Sequence, residues 1–227
     1  MRYSTRMVPF IFCFTIGVWL LQQQAALPEQ LPSVMQAMPI SWLSSSWPDS
    51  HPLLQLARDK RRSIDGQSWQ WDRVDFEMLH PNAASYDTAK INDNNRGCVL
   101  RISVGDQHVL LTADIEKESE RQLLDEHSTK LPSALLIVPH HGSKTSSTER
   151  FVAAVQPGYA VFAVGYRNRF GHPRPEIMQR YAKNGSTLLR TDEDGAILVN
   201  MDVDGMELER YRKTHWRYWM HHAQQTN

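Results

Sequence analysis

Three short apolar runs constrain this chain most: the VLL of "QHVLLTAD" (107–114), "ALLIVP" (134–139) and "YAVFAVG" (159–165). The last two carry no polar face and are too short for ordinary helices, the pattern of strands buried on both sides. Between them lie segments of helical period. "IEKESERQLLDEH" places Leu123 and Leu124 on its inner side. "STERFVAAV" turns Phe151, Val152 and Val155 inward, with Ser147 or Thr148 as cap. "RPEIMQRYAKNG" has proline near its start and Gly185 just past its end, as helices prefer. Upstream, Val74, Phe76 and Met78 alternate with charged residues in "RVDFEMLHP", a half-buried strand. "RGCVLRISV" and "QHVLLTAD" flank Gly105-Asp106 and read as a hairpin. "TLLRT", "GAILVNM" and "MELERYR" read as closing strands. Strands that alternate with helices and then end in strands predict an α/β or α+β layered domain.

The remainder of the 227 residues surrounds that domain. Residues 27–65 read as a linker: "LPEQLPSVMQAMP" and "SWLSSSWPDSHP" are rich in Pro and Ser and lack sustained period. "ARDKRRS" reads as a solvated basic turn. Residues 66–205 hold the domain and 206–227 a last strand and tail. At the other end Met7 to Leu21 carries no charge, and Arg2 and Arg6 precede it. That run is shorter than the roughly 17–25 residues of a spanning helix. A signal peptide, a short anchor, the end of a larger membrane domain and a buried core helix all remain open for residues 1–26. If the run enters a membrane, the arginines keep the N-terminus cytoplasmic and place the rest of the chain outside. Lys plus Arg equals Asp plus Glu, at 25 each, so no global field draws nucleic acid; a local basic site is still allowed. Cys13 and Cys98 lie in an apolar run and a strand, so no disulfide framework is expected.

Three strands end in residues able to do chemistry, and open α/β sheets bind ligands at that edge. Asp114 follows "VLLTA" and is a metal ligand or a helix cap. His140 and His141 leave "ALLIVP" together, ahead of Gly142 and the hydroxyls of Ser143, Thr145, Ser146 and Ser147. Imidazole ligates metals and moves protons, so either role is open to them. After "YAVFAVG" come Arg167, Asn168, Arg169 and His172. Guanidinium groups beside a histidine hold phosphate well; the alternative is a loop packed by Tyr166 and Phe170. Acid and imidazoles at successive strand tips together fit a metal-dependent hydrolase.

In order and combination, "GQSWQWDRVDFEMLHP", "INDNNRGCVLRI", "LLTADIEKESERQLL", "LLIVPHHGSKTSS", "YAVFAVGYRNRFGHPRPEIMQRY" and "LLRTDEDGAI" resemble the C-terminal metallo-β-lactamase-fold domain of the ComEC family, the inner-membrane proteins of bacterial DNA uptake. The resemblance implies an αββα sandwich of two sheets with helices outside, here partial and preceded by the apolar N-terminal segment. It implies a metal-dependent nuclease or phosphodiesterase acting on single-stranded DNA, a divalent zinc or manganese ion, and partners in the membrane and the DNA-uptake machinery. It implies an inner-membrane location with the C-terminal part outside the cytoplasm. By that pattern Asp114, His141 and His172 are metal ligands, His140 is the catalytic neighbour, and His80, which closes an earlier strand, is a further ligand position. "TAD" stands where the family has "TGD".

The family's "DVGQG" strand and its HxHxDH motif, which supplies most of the metal ligands, occur nowhere in this sequence. The chain therefore reads as a shortened member. Half of a two-sheet fold would leave apolar strands and an edge exposed. A catalytic zinc normally has three protein ligands and a water, so a short ligand set implies a large loss of affinity and turnover.

Overall fold

The structure, a computed structural model, describes residues 42–56, 59–88 and 91–215. The apolar run Met7–Leu21 and most of the tail after Thr214 lie outside these residues. Among the described residues no helix is long and apolar enough to cross a membrane.

One seven-stranded sheet organises the domain, in the order β3-β4-β5-β6-β7-β8-β9. Its strands are β3 (Ser68–Trp71), β4 (Val74–His80), β5 (Val99–Val104), β6 (Gln107–Leu111), β7 (Leu135–Ile137), β8 (Tyr159–Phe162) and β9 (Thr187–Arg190). The first four pair antiparallel, and β6 to β9 pair parallel. The expected hairpin is present, with Val104 opposite Gln107 and Gly105 at φ 55. Each parallel step is bridged by a helix: α1 (Lys117–His127), α2 (Glu149–Val155) and α3 (Pro175–Lys183). Thr148 caps α2, its side chain accepting from the Phe151 amide. A short helical turn, α4 (Thr191–Asp194), leads to the hairpin β10 (Ile197–Met201) and β11 (Met206–Arg210), and α5 (Tyr211–Thr214) closes the described chain.

Alternation along the strands builds two cores. Leu110, Leu136, Val138, Ala160 and Phe162 face the helices and pack with Leu123, Phe151, Val152, Val155, Ile177 and Tyr181. Val109, Leu111, Leu135, Ile137, Val161 and Leu189 face the other way and pack with Ile197 and Val199 of β10. Each such fully buried side chain contributes roughly 1.5–3 kcal/mol relative to exposure. This second face differs from the open half-sandwich expected from sequence. The β10–β11 hairpin forms a second layer, Phe76, Met78, Leu100 and Ile102 are buried in the same core, and Trp69 stacks on Phe76 at 5.1 Å.

The segment read as linker also carries structure. β1 (Leu43–Ser45) pairs parallel with β2 (Lys60–Arg62), whose three basic side chains are exposed. Among the described residues Cys98 is buried and in no disulfide; Cys13 lies outside them.

Candidate active site

Because β6, β7 and β8 run parallel, their C-terminal ends share one edge, and the loops leaving that edge carry the residues singled out from sequence. The backbone there adopts conformations that side-chain-bearing residues rarely take. Ala113, His140 and His141 have φ of 50, 46 and 56. Such strain persists only where the surroundings hold it, and it clusters at functional sites. Gly142 comes next at φ 80, where a Cβ would come within 2.9 Å of both Phe162 and Pro173, so only glycine fits. The His140 amide donates to the Ala113 carbonyl at 3.0 Å, tying the two strand tips together.

Asp114 does not cap α1. That role falls to Glu116, which makes no side-chain cap bond. Asp114 is instead buried, and its Oδ1 lies 3.3 Å from His141 Nε2. Oδ1 has no hydrogen-bond partner. Burial, then the charge of Glu116, pushes the Asp114 carboxyl up to about 7. Burial, then neighbouring His140, pushes His141 down to about 3. The contact therefore joins a weakened acid to a neutral imidazole, both desolvated and ready to share a cation. Two donors on one tetrahedral zinc, each at about 2.0–2.2 Å, sit about 3.3 Å apart. Asp114 and His141 thus fit as half of a metal site.

His140 takes a different position. Its Nδ1 is 3.1 Å from Thr145 Oγ1 and 3.4 Å from Glu116 Oε1, and Thr145 Oγ1 donates to the same Glu116 oxygen at 2.9 Å. Asn92 donates to the other Glu116 oxygen at 3.0 Å. Burial lowers the pKa of His140, and Glu116 opposes that. An acid behind Nδ1 orients the ring and leaves Nε2 for a proton.

His172 approaches without joining Asp114. Its ring is 6.0 Å from that of His140, and Phe170 stacks on it at 6.2 Å. Its Nδ1 is buried with no hydrogen-bond partner. Asn168 brackets its backbone, accepting from the His172 amide at 3.0 Å and donating to its carbonyl at 2.6 Å. Asp114, His141 and His172 do not close into a three-donor group among the described residues. His80 stands apart, with Nδ1 against the Gly97 carbonyl at 2.8 Å.

Sequence reasoning missed Glu116 and Glu120. Glu116 was legible as a second carboxylate two residues past a strand-tip aspartate. Glu120 was hidden in a helix that reads as a charged surface. Arg167 and Arg169 are exposed and stack on their own neighbours, 5.2 Å over Tyr166 and 5.2 Å over Phe170. On the opposite flank of Glu116 a groove along α1 is lined by Asn92, Asn95, Glu118, Asp125 and Glu126, an acidic surface that repels phosphate.

These features define a mixed α/β domain with a buried carboxylate–imidazole pair at the tips of its parallel strands. No family model matches the chain. Competence protein ComA of Neisseria gonorrhoeae is 39% identical over 153 residues, which are 66% of this chain and 22% of that protein. ComE operon protein 3 of Bacillus subtilis (strain 168) is 33% identical over 156 residues, 67% of this chain and 20% of that protein. Along this stretch the chain belongs to the ComEC family of competence proteins. It spans about a fifth of the length of these relatives. Among solved structures, a zinc-dependent hydrolase assigned to the metallo-β-lactamase superfamily, from Thermotoga maritima, is similar at 9% identity and a TM-score of 0.33, over 57% of this chain and 60% of that one.

Proposed function

We propose that the chain is the phosphodiester-handling portion of a ComEC-type DNA-uptake protein, built on part of a metallo-β-lactamase-like αββα sandwich. One observation carries this reading: a buried Asp114 oxygen without a hydrogen-bond partner, 3.3 Å from His141 Nε2 at the edge where such sheets bind ligands. Asp114 and His141 would hold a divalent zinc or manganese ion, with His172, whose buried Nδ1 has no hydrogen-bond partner, as the further candidate ligand. When bound, that ion supplies Lewis acidity to a phosphoryl oxygen.

The chain's own residues do the rest. Arg167 and Arg169 hold the phosphate of single-stranded DNA, and the exposed rings of Tyr166 and Phe170 offer faces on which unpaired bases stack. Glu116 and Thr145 keep His140 oriented, so that its Nε2 takes or returns a proton beside the phosphodiester. Membrane attachment through residues 1–26, with this domain outside the cytoplasm, completes the reading.

The absence of an HxHxDH string supports a second reading, in which the chain binds metal and DNA without turning substrate over. One experiment separates the two. The purified full chain is assayed for bound zinc and manganese and for hydrolysis of a labelled oligodeoxynucleotide. Turnover abolished by Asp114→Ala and by His141→Ala supports a hydrolase. Metal and oligonucleotide binding without turnover supports the binding module. A chain that takes up neither metal nor DNA sinks both.

A further inference from the structure

The loop that carries His172 ends in an arginine whose side chain no protein partner accounts for. Arg174 precedes Pro175, the first residue of α3, and its amide donates to the Gly142 carbonyl at 3.0 Å. That bond ties it to the residue after His141, whose Nε2 lies 3.3 Å from Asp114. The side chain folds back over its own loop: a Cβ on Gly171, at φ 66, would sit 3.3 Å from an Arg174 guanidinium nitrogen. Arg174 Nε is buried there without a hydrogen-bond partner, as is Nδ1 of His172 two residues before.

A surface arginine leaves its nitrogens in water, and a structural one spends them on the protein. Partly buried arginines elsewhere do the second: Arg96 donates to Ser85 O, Thr88 O and Asp93, Arg180 to Ser147 O, and Arg190 to Asp192. Arg101 is the other described arginine with a buried, unpartnered Nε, and it stands directly across from the acid Glu77 of β4. Among the described residues no carboxylate pairs with Arg174, since Glu176, two residues on, gives its own to Lys144 at 3.1 Å. A guanidinium carries Nε and one terminal nitrogen along a single edge, the pair that takes two oxygens of a phosphate at once. An Nε–H shielded from water and given no acceptor is an unfilled half of that fork. Arg167 and Arg169 precede it in the same loop and add to the positive charge there.

We infer that Arg174 grips the phosphate at the strand-tip site, its Nε edge taking two non-bridging oxygens beside His172. The inference rests on the phosphodiester reading above for the identity of the anion. Arg167 and Arg169, exposed and stacked on their own rings, then meet phosphates further along the strand. A half-buried fork sets which phosphate stands at the histidines, whereas exposed arginines supply charge that any register satisfies.

The full chain, stripped of metal by chelation, is titrated with inorganic phosphate by calorimetry and with fluorescent oligodeoxythymidine across a salt series. Arg174→Gln keeps the backbone bond to Gly142 and weakens both ligands by about tenfold or more. It also lowers the slope of log oligodeoxythymidine affinity against log salt by about 0.7, the share of one phosphate contact on a single strand. Arg174→Lys keeps that slope and still binds more weakly, because a point charge has no fork. Arg150→Gln, which removes an exposed charge from α2, changes neither affinity. Circular dichroism and the melting temperature verify that each variant is folded. Phosphate binding that needs Arg174, in a chain that does not bind oligodeoxythymidine, supports the anion site and sinks the DNA reading. Oligodeoxythymidine binding at full strength in Arg174→Gln overturns the inference and leaves that reading standing. An unsubstituted chain that binds neither probe overturns both.

Discussion

The buried Glu120 carboxylate accepts the Thr148 amide at 2.8 Å, and so ties the middle of α1 to the loop that leaves His140 and His141. Its other oxygen accepts from the Ser147 amide. Ser147 sits at φ 59, its carbonyl accepts from Arg180 and its hydroxyl from Tyr181 at 3.0 Å. One acid thus fixes a strained loop from below. Glu120→Ala would leave the buried Ser147 amide and the part-buried Thr148 amide without their acceptor and is expected to cost about 2–4 kcal/mol, read as a lower denaturation midpoint. Glu120→Gln, which keeps one acceptor, should lose less. Equal stability of all three chains would show that the loop is held by other means.

Gly142 tests whether the histidine pair needs its strained backbone. Gly142→Ala places a Cβ at φ 80 within 2.9 Å of Phe162 and Pro173. Destabilisation of about 1–3 kcal/mol is expected, together with loss of any zinc held by His141. Calorimetry with zinc before and after the substitution measures both. An alanine variant of normal stability and zinc affinity would show that the turn tolerates a side chain.

Stability should depend on pH through the Asp114–His141 contact, with opposite signs. The Asp114 carboxyl is raised from 3.8 to about 7, so its contribution is complete below 3.8 and is lost as pH rises through about 7. His141 is lowered from 6.5 to about 3, so its contribution is present above 6.5 and is lost as pH falls toward 3. In a chelating buffer the two opposed slopes offset each other between pH 3.8 and 6.5, and the melting temperature falls as pH drops from 3.8 toward 3 and as it rises from 6.5 toward 7. Asp114→Asn should remove the decline above pH 6.5 and leave His141 unopposed, so that stability falls continuously as pH drops from 6.5 toward 3. Identical pH profiles for the two chains would refute the assignment.

The loop from Tyr166 to Arg174 gives a prediction in salt rather than pH. If Arg167 and Arg169 each meet a phosphate, replacing both by alanine weakens oligodeoxythymidine binding and reduces the slope of log affinity against log salt by about 1.4. Fluorescence anisotropy across a salt series measures this. Substituting Tyr166 and Phe170 should weaken binding with little change in slope, because stacking releases no counterions. A slope unaffected by the arginine changes places the phosphate elsewhere.

Local pattern carried the main elements of the large sheet and its helices, though not the β1–β2 pair in the segment read as linker. "ALLIVP" became β7, "YAVFAVG" became β8, Phe151, Val152 and Val155 turned inward, and Gly105-Asp106 closed a hairpin. Period and turn chemistry act over a few residues, and these are written directly in the string. The strand tips were legible too, since a polar residue after a buried strand has nowhere to go but the sheet edge. Tertiary structure decided which of those tips meet. It set Asp114 against His141, gave His140 to Glu116, held His172 beside His140 but outside any three-donor group with Asp114, and fixed His80 to the Gly97 carbonyl. It also covered the second face of the sheet with a hairpin from the end of the domain. Such contacts join residues far apart in the chain, and their distances derive from strand order and backbone strain, which no local stretch of sequence encodes.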